Sequence, residues 1–405
     1  MKRRVLYVCH NHPSVVPGGV ETYALELYQG MRTSASFEPI LLSRIGHPHT
    51  GPDPVHRGTF TSGVNHDPNQ YLFYTDVSDF NWLMLTPRQK DGTTRFFREF
   101  LESYRPDVVH FQHTLFFGFD VLTQTRNTLP HAPIVYTLHE YLPICHRDGQ
   151  MVRTVTGELC LEATPRRCNG CFPEIPPHDF FLRKRFISAH LSRVDLFLAP
   201  SQFLLERYVD WGIPRDRIQF EEYGRLQVRR VAETSAPKMR KRIGFFGQLN
   251  QFKGIDVLLE AMRILAASGR GGESSNAPHL WIHGANLEFA PEEFQQKFRA
   301  LLDATRSNVT FVGRYDQTRL PQLMANVDWV IVPSKWWENS PLVIQEAFAH
   351  GRPVICSDIG GMAEKVTHGV NGLHFRARDA IHLAETIRTA TTSPGLWETI
   401  RRICP

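Results

Sequence analysis

Two glutamates, Glu338 and Glu346, stand with seven residues between them, around the run Asn339-Ser340-Pro341-Leu342-Val343. The β-branched stretch WVIVPS (329–334) precedes them and a helical apolar period follows over 341–350. Ser340 reads as the N-cap and Pro341 as the first helical residue, so the helix start offers unpaired N–H groups and a positive dipole end. An anion such as a pyrophosphate suits that position. Glu338 lies just before the helix and Glu346 about a turn and a half inside it. At those depths the carboxylates can accept hydrogen bonds from separate hydroxyls of one elongated ligand, one on a sugar and the other on a ribose.

Three further groups have chemistry to offer. Lys253 ends the loop Gly247-Gln248-Leu249-Asn250-Gln251-Phe252-Lys253-Gly254 between a strand and a helix, a place where a point charge meets phosphate and Gly254 allows close backbone approach. Pro17-Gly18-Gly19-Val20-Glu21 follows the first strand and opens a helix, with His10 and His12 beside it. His139 ends the strand PIVYTLHE (133–140), where its ring can donate to a sugar hydroxyl.

These groups need a scaffold that brings loops together. The first half alternates strand signals (4–10, 37–45, 107–113, 133–140, 196–201) with helical ones (20–32, 93–105), and the pattern restarts after residue 241 with strands at 242–249, 279–285, 309–315, 329–334 and 353–358. Alternation of this kind predicts an α/β protein of two doubly wound, Rossmann-like domains facing each other across a cleft, with ligands beyond the carboxyl ends of the strands. The expected division is a domain over 1–230, a linker over 231–241, a second domain over 242–392 and a C-terminal helix over 393–405, with staying on the second domain and crossing back to the first both open. Segments 46–92 and 141–178 are longer than ordinary connections, which marks them as functional loops.

The chain has 405 residues with 46 Lys plus Arg against 41 Asp plus Glu, an excess of +5. So mild an excess argues against nucleic acid as a partner and suits an anionic small molecule or membrane surface. No apolar run reaches the about 18 residues that a spanning helix needs, and the start is too short for a signal-peptide core. A cytoplasmic protein is expected; Phe180 to Phe186, where aromatics and cations mix, opens a helix that fits an ordinary apolar core face with a charged outside, with a peripheral contact at the inner membrane face as the alternative. Cys145, Cys160, Cys168 and Cys171 within the long second loop have a spacing that allows a structural zinc site, with free or redox-active thiols as the alternative.

The Glu-x7-Glu setting, followed by Ala347-Phe348-Ala349-His350-Gly351-Arg352-Pro353-Val354-Ile355 and Asp358-Ile359-Gly360-Gly361-Met362-Ala363-Glu364, resembles the retaining family-4 glycosyltransferases of the GT-B fold. The resemblance implies hexosyl transfer from a nucleotide-diphosphate sugar to an acceptor with retention of anomeric configuration. It assigns Glu338 to the transferred sugar and Glu346 to the ribose. Backbone amides from Pro341 through Leu342 to Val343, beside Ser340, would hold the diphosphate together with Lys253, and Gly18 and Gly19 would face the donor phosphates. Two departures stand out: Gln248 occupies a position where the family often has Arg, and Glu140 follows His139 where Asp is usual.

No DxD-type metal motif lies near these residues, so no cofactor is expected for catalysis. Paired glutamates also occur in glycoside hydrolases, but a hydrolase needs no phosphate site. A nucleotide-sugar 2-epimerase of the same architecture and a catalytically silent nucleotide-sugar-binding module remain as alternatives.

Overall fold

The computed structural model describes residues 2–16, 18–46, 60–64, 66–75, 80–88, 91–226, 240–268 and 277–403. Pro17, most of the expected linker 231–241, and residues 404–405 fall outside them. The chain divides into two compact units, Met1–Leu226 and Gln227–Pro405.

In the N-terminal unit the strands are β1 (Arg3–Cys9), β2 (Phe37–Ile45), β3 (Phe60–Val64), β4 (Asp67–Tyr74), a ribbon of β5 (Phe80–Asn81) and β6 (Thr86–Pro87), then β7 (Val108–Phe111), β8 (Ile134–Thr137), β9 (Leu196–Ala199) and β10 (Ile218–Phe220). Eight of them form one sheet in the order β10-β9-β8-β7-β1-β2-β4-β3, parallel except for β3 against β4. The chain leaves β1 toward β2 and returns on its other side as β7, so the order reverses between β1 and β7. Parallel strands bury both faces and therefore read as continuous apolar runs; Val5 to Cys9 are all buried.

The C-terminal unit holds β11 (Arg242–Gln248), β12 (His279–Ala285), β13 (Val309–Phe311), β14 (Trp329–Val332), β15 (Val354–Ser357) and β16 (Gly372–Phe375), in the all-parallel order β13-β12-β11-β14-β15-β16. Successive residues alternate between faces. Phe245 packs with helices Ile255–Ser268 and Ala380–Thr392, while Phe246 packs with helix Leu342–Ala349. Helices thus cover both faces, as in a doubly wound fold. The order reverses between β11 and β14, and the loops beyond their carboxyl ends are 249–254 and 333–341. A doubly wound sheet presents its ligand site at that reversal.

Helix Leu396–Arg401 closes this unit's own core. Trp397 is buried and its indole N–H donates to Asp328 O at 2.7 Å, while Ile400 joins the same apolar cluster. No described helix is long and apolar enough to cross a membrane.

Candidate functional site

Sheet reversal in the C-terminal unit brings Lys253 and Glu338 together. Lys253 Nζ lies 2.7 Å from Glu338 Oε1, which also accepts from Ser334 Oγ at 2.7 Å and Trp336 Nε1 at 2.8 Å. The carboxylate is 5% exposed. Burial pushes its pKa up, but the Lys253 charge and the three hydrogen bonds outweigh that and hold it below the ordinary 4.5. Glu338 is therefore an anion whose geometry is fixed before any ligand arrives.

The backbone around it is fixed too. Gly254 has φ +70°, and a Cβ there would overlap Pro333 O, so the two loops meet at a point where only glycine fits. Gly361 N–H donates to Glu338 O at 2.8 Å and any side chain at Gly361 would overlap Asn339 O. Residues 360–361 thereby clamp the segment that carries Glu338.

Helix Leu342–Ala349 starts one residue later than expected. Pro341, at φ −59° and ψ 119°, is the N-cap, and its carbonyl accepts the first turn's bond from Ile344 N at 3.0 Å. Ser340 is thus not the cap. Asn339 Oδ1 accepts from Ser340 N, and the buried Ser340 Oγ has no hydrogen-bond partner. Leu342 and Val343 contribute N–H groups at the helix start, where intrahelical acceptors are lacking. Glu346, buried on the inner side of this helix, accepts from Gln317 Nε2 at 2.9 Å.

Lys335 is a cation that the sequence reading passed over. Its stem lies against the Gly254 position and its Nζ is 3.0 Å from the buried Asp256 carboxylate, which also binds Lys297 at 2.7 Å. Burial raises the Asp256 pKa, and the two lysines more than reverse this, leaving it below 3.8. Lys335 supplies positive charge beside Lys253 where Gln248 supplies none. Arg225, another residue near the junction, forms an ion pair with Glu26 inside the N-terminal unit, 2.6 Å apart.

In the N-terminal unit the reversal between β1 and β7 gathers polar side chains of its own. Gly18 is the N-cap of helix Gly19–Arg32, and two residues after that helix's first, Glu21 lies 3.1 Å from His10 Nε2. The His10 ring lies tilted against His113 with centroids 4.3 Å apart, and His113 Nε2 lies 3.2 Å from Glu140 Oε1. His113 Nδ1 accepts from Leu115 N, so Nε2 carries the proton that Glu140 receives. Burial raises the Glu21 pKa despite Asn11 and His113 nearby. His12 is bound to Gln70 at 3.2 Å and takes no part in this row.

His139 is buried with both ring nitrogens engaged, Nδ1 with Tyr223 OH at 2.6 Å and Nε2 with Gln112 Oε1 at 3.0 Å. An amide oxygen only accepts, so Nε2 holds the proton and Nδ1 receives one from Tyr223. Burial, then His113 and His110, keep this ring neutral well below pH 6.5. A sugar hydroxyl at Nε2 would displace Gln112.

The other expectations fall as follows. Cys145, Cys160, Cys168 and Cys171 form no disulfide and line one small cavity. Helix Pro177–Leu191 turns Phe180, Arg183, Ile187 and Leu191 inward and leaves Phe181, Leu182, Lys184 and Arg185 exposed. Arg183 therefore does not belong to the outward basic face; its guanidinium donates to Pro143 O at 2.5 Å and Leu142 O at 2.6 Å.

Two doubly wound units, one with an anion-ready helix start beside a lysine and a fixed carboxylate at its sheet reversal, define a GT-B protein. Its sequence matches the glycosyl transferases group 1 model over residues 240–393 and the glycosyltransferase family 4 model over residues 17–220. The chain belongs to the family-4 glycosyltransferases, and its donor is a nucleotide sugar. Glycogen synthase of Mycobacterium tuberculosis is 26% identical over 97% of this chain and 87% of that protein. Among solved structures, sucrose-phosphate synthase from Thermosynechococcus elongatus superposes with TM-score 0.70 at 18% identity, covering 99% of this chain and 92% of that one. Anabaena HepE in complex with UDP-glucose gives 0.62 at 17%, covering 99% and 93%.

Proposed function

We propose that this protein transfers a hexosyl group from a nucleoside-diphosphate sugar to a hydroxyl of a glycan, lipid-linked or small-molecule acceptor, with retention of configuration and without a divalent metal. The observation that carries this reading is the arrangement of Lys253, Glu338 and the Leu342–Ala349 helix start at one sheet reversal. Lys253, Lys335 and the amides of Leu342 and Val343 stabilise the diphosphate as its bond to the sugar breaks, and the unpartnered Ser340 Oγ gains an acceptor there. Glu338 binds a hydroxyl of the transferred sugar and Glu346 the ribose. His139 orients the sugar, its Nε2 proton passing from Gln112 to a hydroxyl.

Retention follows from attack on the same face from which the diphosphate departs, the leaving phosphate oxygen accepting the acceptor proton. Cations supplied by the chain make a metal redundant for charge neutralisation. UDP-glucose in the HepE complex and the glycogen synthase relative support a sugar nucleotide of hexose type. The exposed Phe181, Leu182, Lys184 and Arg185 support peripheral contact with an anionic membrane on the cytoplasmic side; salt-sensitive sedimentation with anionic liposomes checks it, and no binding removes it.

The test of the function is a nucleotide-sugar panel followed by nuclear magnetic resonance of the product. An axial donor giving an axial product, in a brief assay with chelator present, agrees with the reading. Inversion, or activity abolished at once by chelator, contradicts it. Binding without turnover would favour a silent module, and an altered free nucleotide sugar would favour an epimerase.

A further inference from the structure

Residues 141–178 follow directly on His139 and Glu140, yet they have little core of their own. Between residues 145 and 179 the buried ones are Gly149, Met151 and Val152, while Val155 and Leu161 are 77% and 55% exposed. A segment of that length needs a substitute for burial.

Its backbone hydrogen bonds converge on the cysteines. Cys145 N donates to Tyr141 O at 2.8 Å and Gly149 N to Cys145 O at 3.1 Å, which folds a turn on each side of the first thiol. Asp148, Gly149 and Met151 all have positive φ, so the chain bends tightly back. Cys160 N then donates to Met151 O at 2.7 Å beside the antiparallel bridge Val152↔Leu159, setting the second thiol next to the first. Cys168 and Cys171 occupy one helical turn, with Cys171 N donating to Cys168 O at 2.9 Å and Thr154 Oγ1 to Cys171 O at 2.7 Å. All four line the same cavity.

Two further observations point to a charged occupant that draws protons off the thiols. The backbone N–H groups of Arg147 and Met151 are directed at the Cys145 sulfur, an arrangement that stabilises thiolate. Arg183 is 3% exposed beside Cys145 and Cys168, and its Nε has no partner. A buried guanidinium calls for an anion; the nearby Glu140 is engaged with His113 and Leu142 N.

We propose that Cys145, Cys160, Cys168 and Cys171 bind one zinc ion as a closed structural tetrathiolate site that ties residues 141–178 to helix Pro177–Leu191. Four soft thiolates in tetrahedral array suit zinc. The complex carries two negative charges, one of which Arg183 neutralises. Among the described residues no three ligating side chains already converge at ligation distance, and Cys160 Sγ is turned to Glu162 O at 3.2 Å. Ligation turns that sulfur back into the cavity. His146 is not a ligand: its ring packs edge-on against Phe172 at 4.9 Å and Phe180 at 6.1 Å.

The experiment is metal analysis of the full chain purified without added zinc, beside the Cys168→Ser/Cys171→Ser double variant. Expected are about one equivalent of zinc in the wild type and less than about a tenth in the variant. Should the variant fail to fold, mercurial titration of the wild type replaces it, with zinc released in step with four thiols. Cobalt exchange should give the sulfur-to-metal charge-transfer band of a tetrahedral thiolate site. Less than about a tenth of an equivalent after incubation with zinc chloride, a different metal, or the four cysteines paired as disulfides overturns the proposal. Each readout is metal or thiol content, so its outcome is independent of sugar transfer.

Discussion

Lys253 Nζ donates to Glu338 Oε1 at 2.7 Å, so the cation proposed for the donor's phosphates is held by the carboxylate proposed for its sugar. Each group pre-positions the other. Lys253→Ala removes both the phosphate contact and the main electrostatic support of a buried carboxylate. It should lower kcat/KM for the donor by about 100- to 1000-fold, with Lys253→Arg recovering only part, since a planar fork does not replace a point charge here. Steady-state kinetics with the preferred donor checks this; a loss below about threefold would remove Lys253 from the site.

Asp256 and Glu338 give the C-terminal unit an acid limit. Both have folded pKa values below their ordinary 3.8 and 4.5, so their stabilising effect is full above those values and is lost as pH falls through the depressed ones. Melting temperature should hold from neutral pH to about pH 5 as far as these groups decide it, then fall. Asp256→Asn leaves Lys335 and Lys297 without their shared anion, which costs about 1–3 kcal/mol at neutral pH. Its melting curve should lie several degrees lower at pH 7 and approach the wild type's in acid. Parallel curves at every pH would contradict the assignment.

Two glycines separate strain from contact. Gly254 and Gly395 have nearly the same φ, +70° and +72°, but an added Cβ meets Pro333 O at the first and nothing within 4 Å at the second. Gly395→Ala should cost about 1–3 kcal/mol from φ alone. Gly254→Ala should cost more and also abolish the thermal shift that a donor produces, because the loops that carry Lys253 and Glu338 must part. Equal melting points and equal donor shifts for the two variants would refute this.

His139 stays neutral across the physiological range because burial and two neighbouring histidines disfavour its cation. The pH profile of kcat should therefore show no limb from His139 near pH 6.5. His139→Gln should lower kcat without moving the profile's limbs. A lost limb in that variant would make His139 a titrating acid or base.

Much of the scaffold was legible because parallel strands buried on both faces are apolar without interruption; FEPILLSRI and HLWIHGA are read to the residue as β2 and β12. Strand β4 was not, since DPNQYLFY begins with residues that usually signal turns. Spacing placed the proposed donor residues Lys253, Glu338 and Glu346 on the loops and helix at the sheet reversal, but it put the cap at Ser340, where Pro341 holds that position instead. The burial of Arg183 was not legible for a different reason. Its neighbours Lys184 and Arg185 are exposed, and the carbonyls it binds lie about 40 positions away, a contact that no local pattern encodes. The Glu21–His10–His113–Glu140 row escaped similarly: its members come from four separate segments that only the reversal between β1 and β7 unites.

The most direct test of the donor site is nucleoside-diphosphate release from a panel of nucleotide sugars by the wild type, Glu338→Gln and Glu346→Gln. Glu338→Gln removes the acceptor for the sugar hydroxyl and leaves Lys253 uncompensated; Glu346→Gln removes the ribose contact. The predicted result is release from one donor class by the wild type, a fall in kcat of at least about 100-fold in Glu338→Gln, and a mainly raised donor KM in Glu346→Gln. Release by both variants at the wild-type rate and KM would contradict the placement of the donor site at Lys253, Glu338 and Glu346.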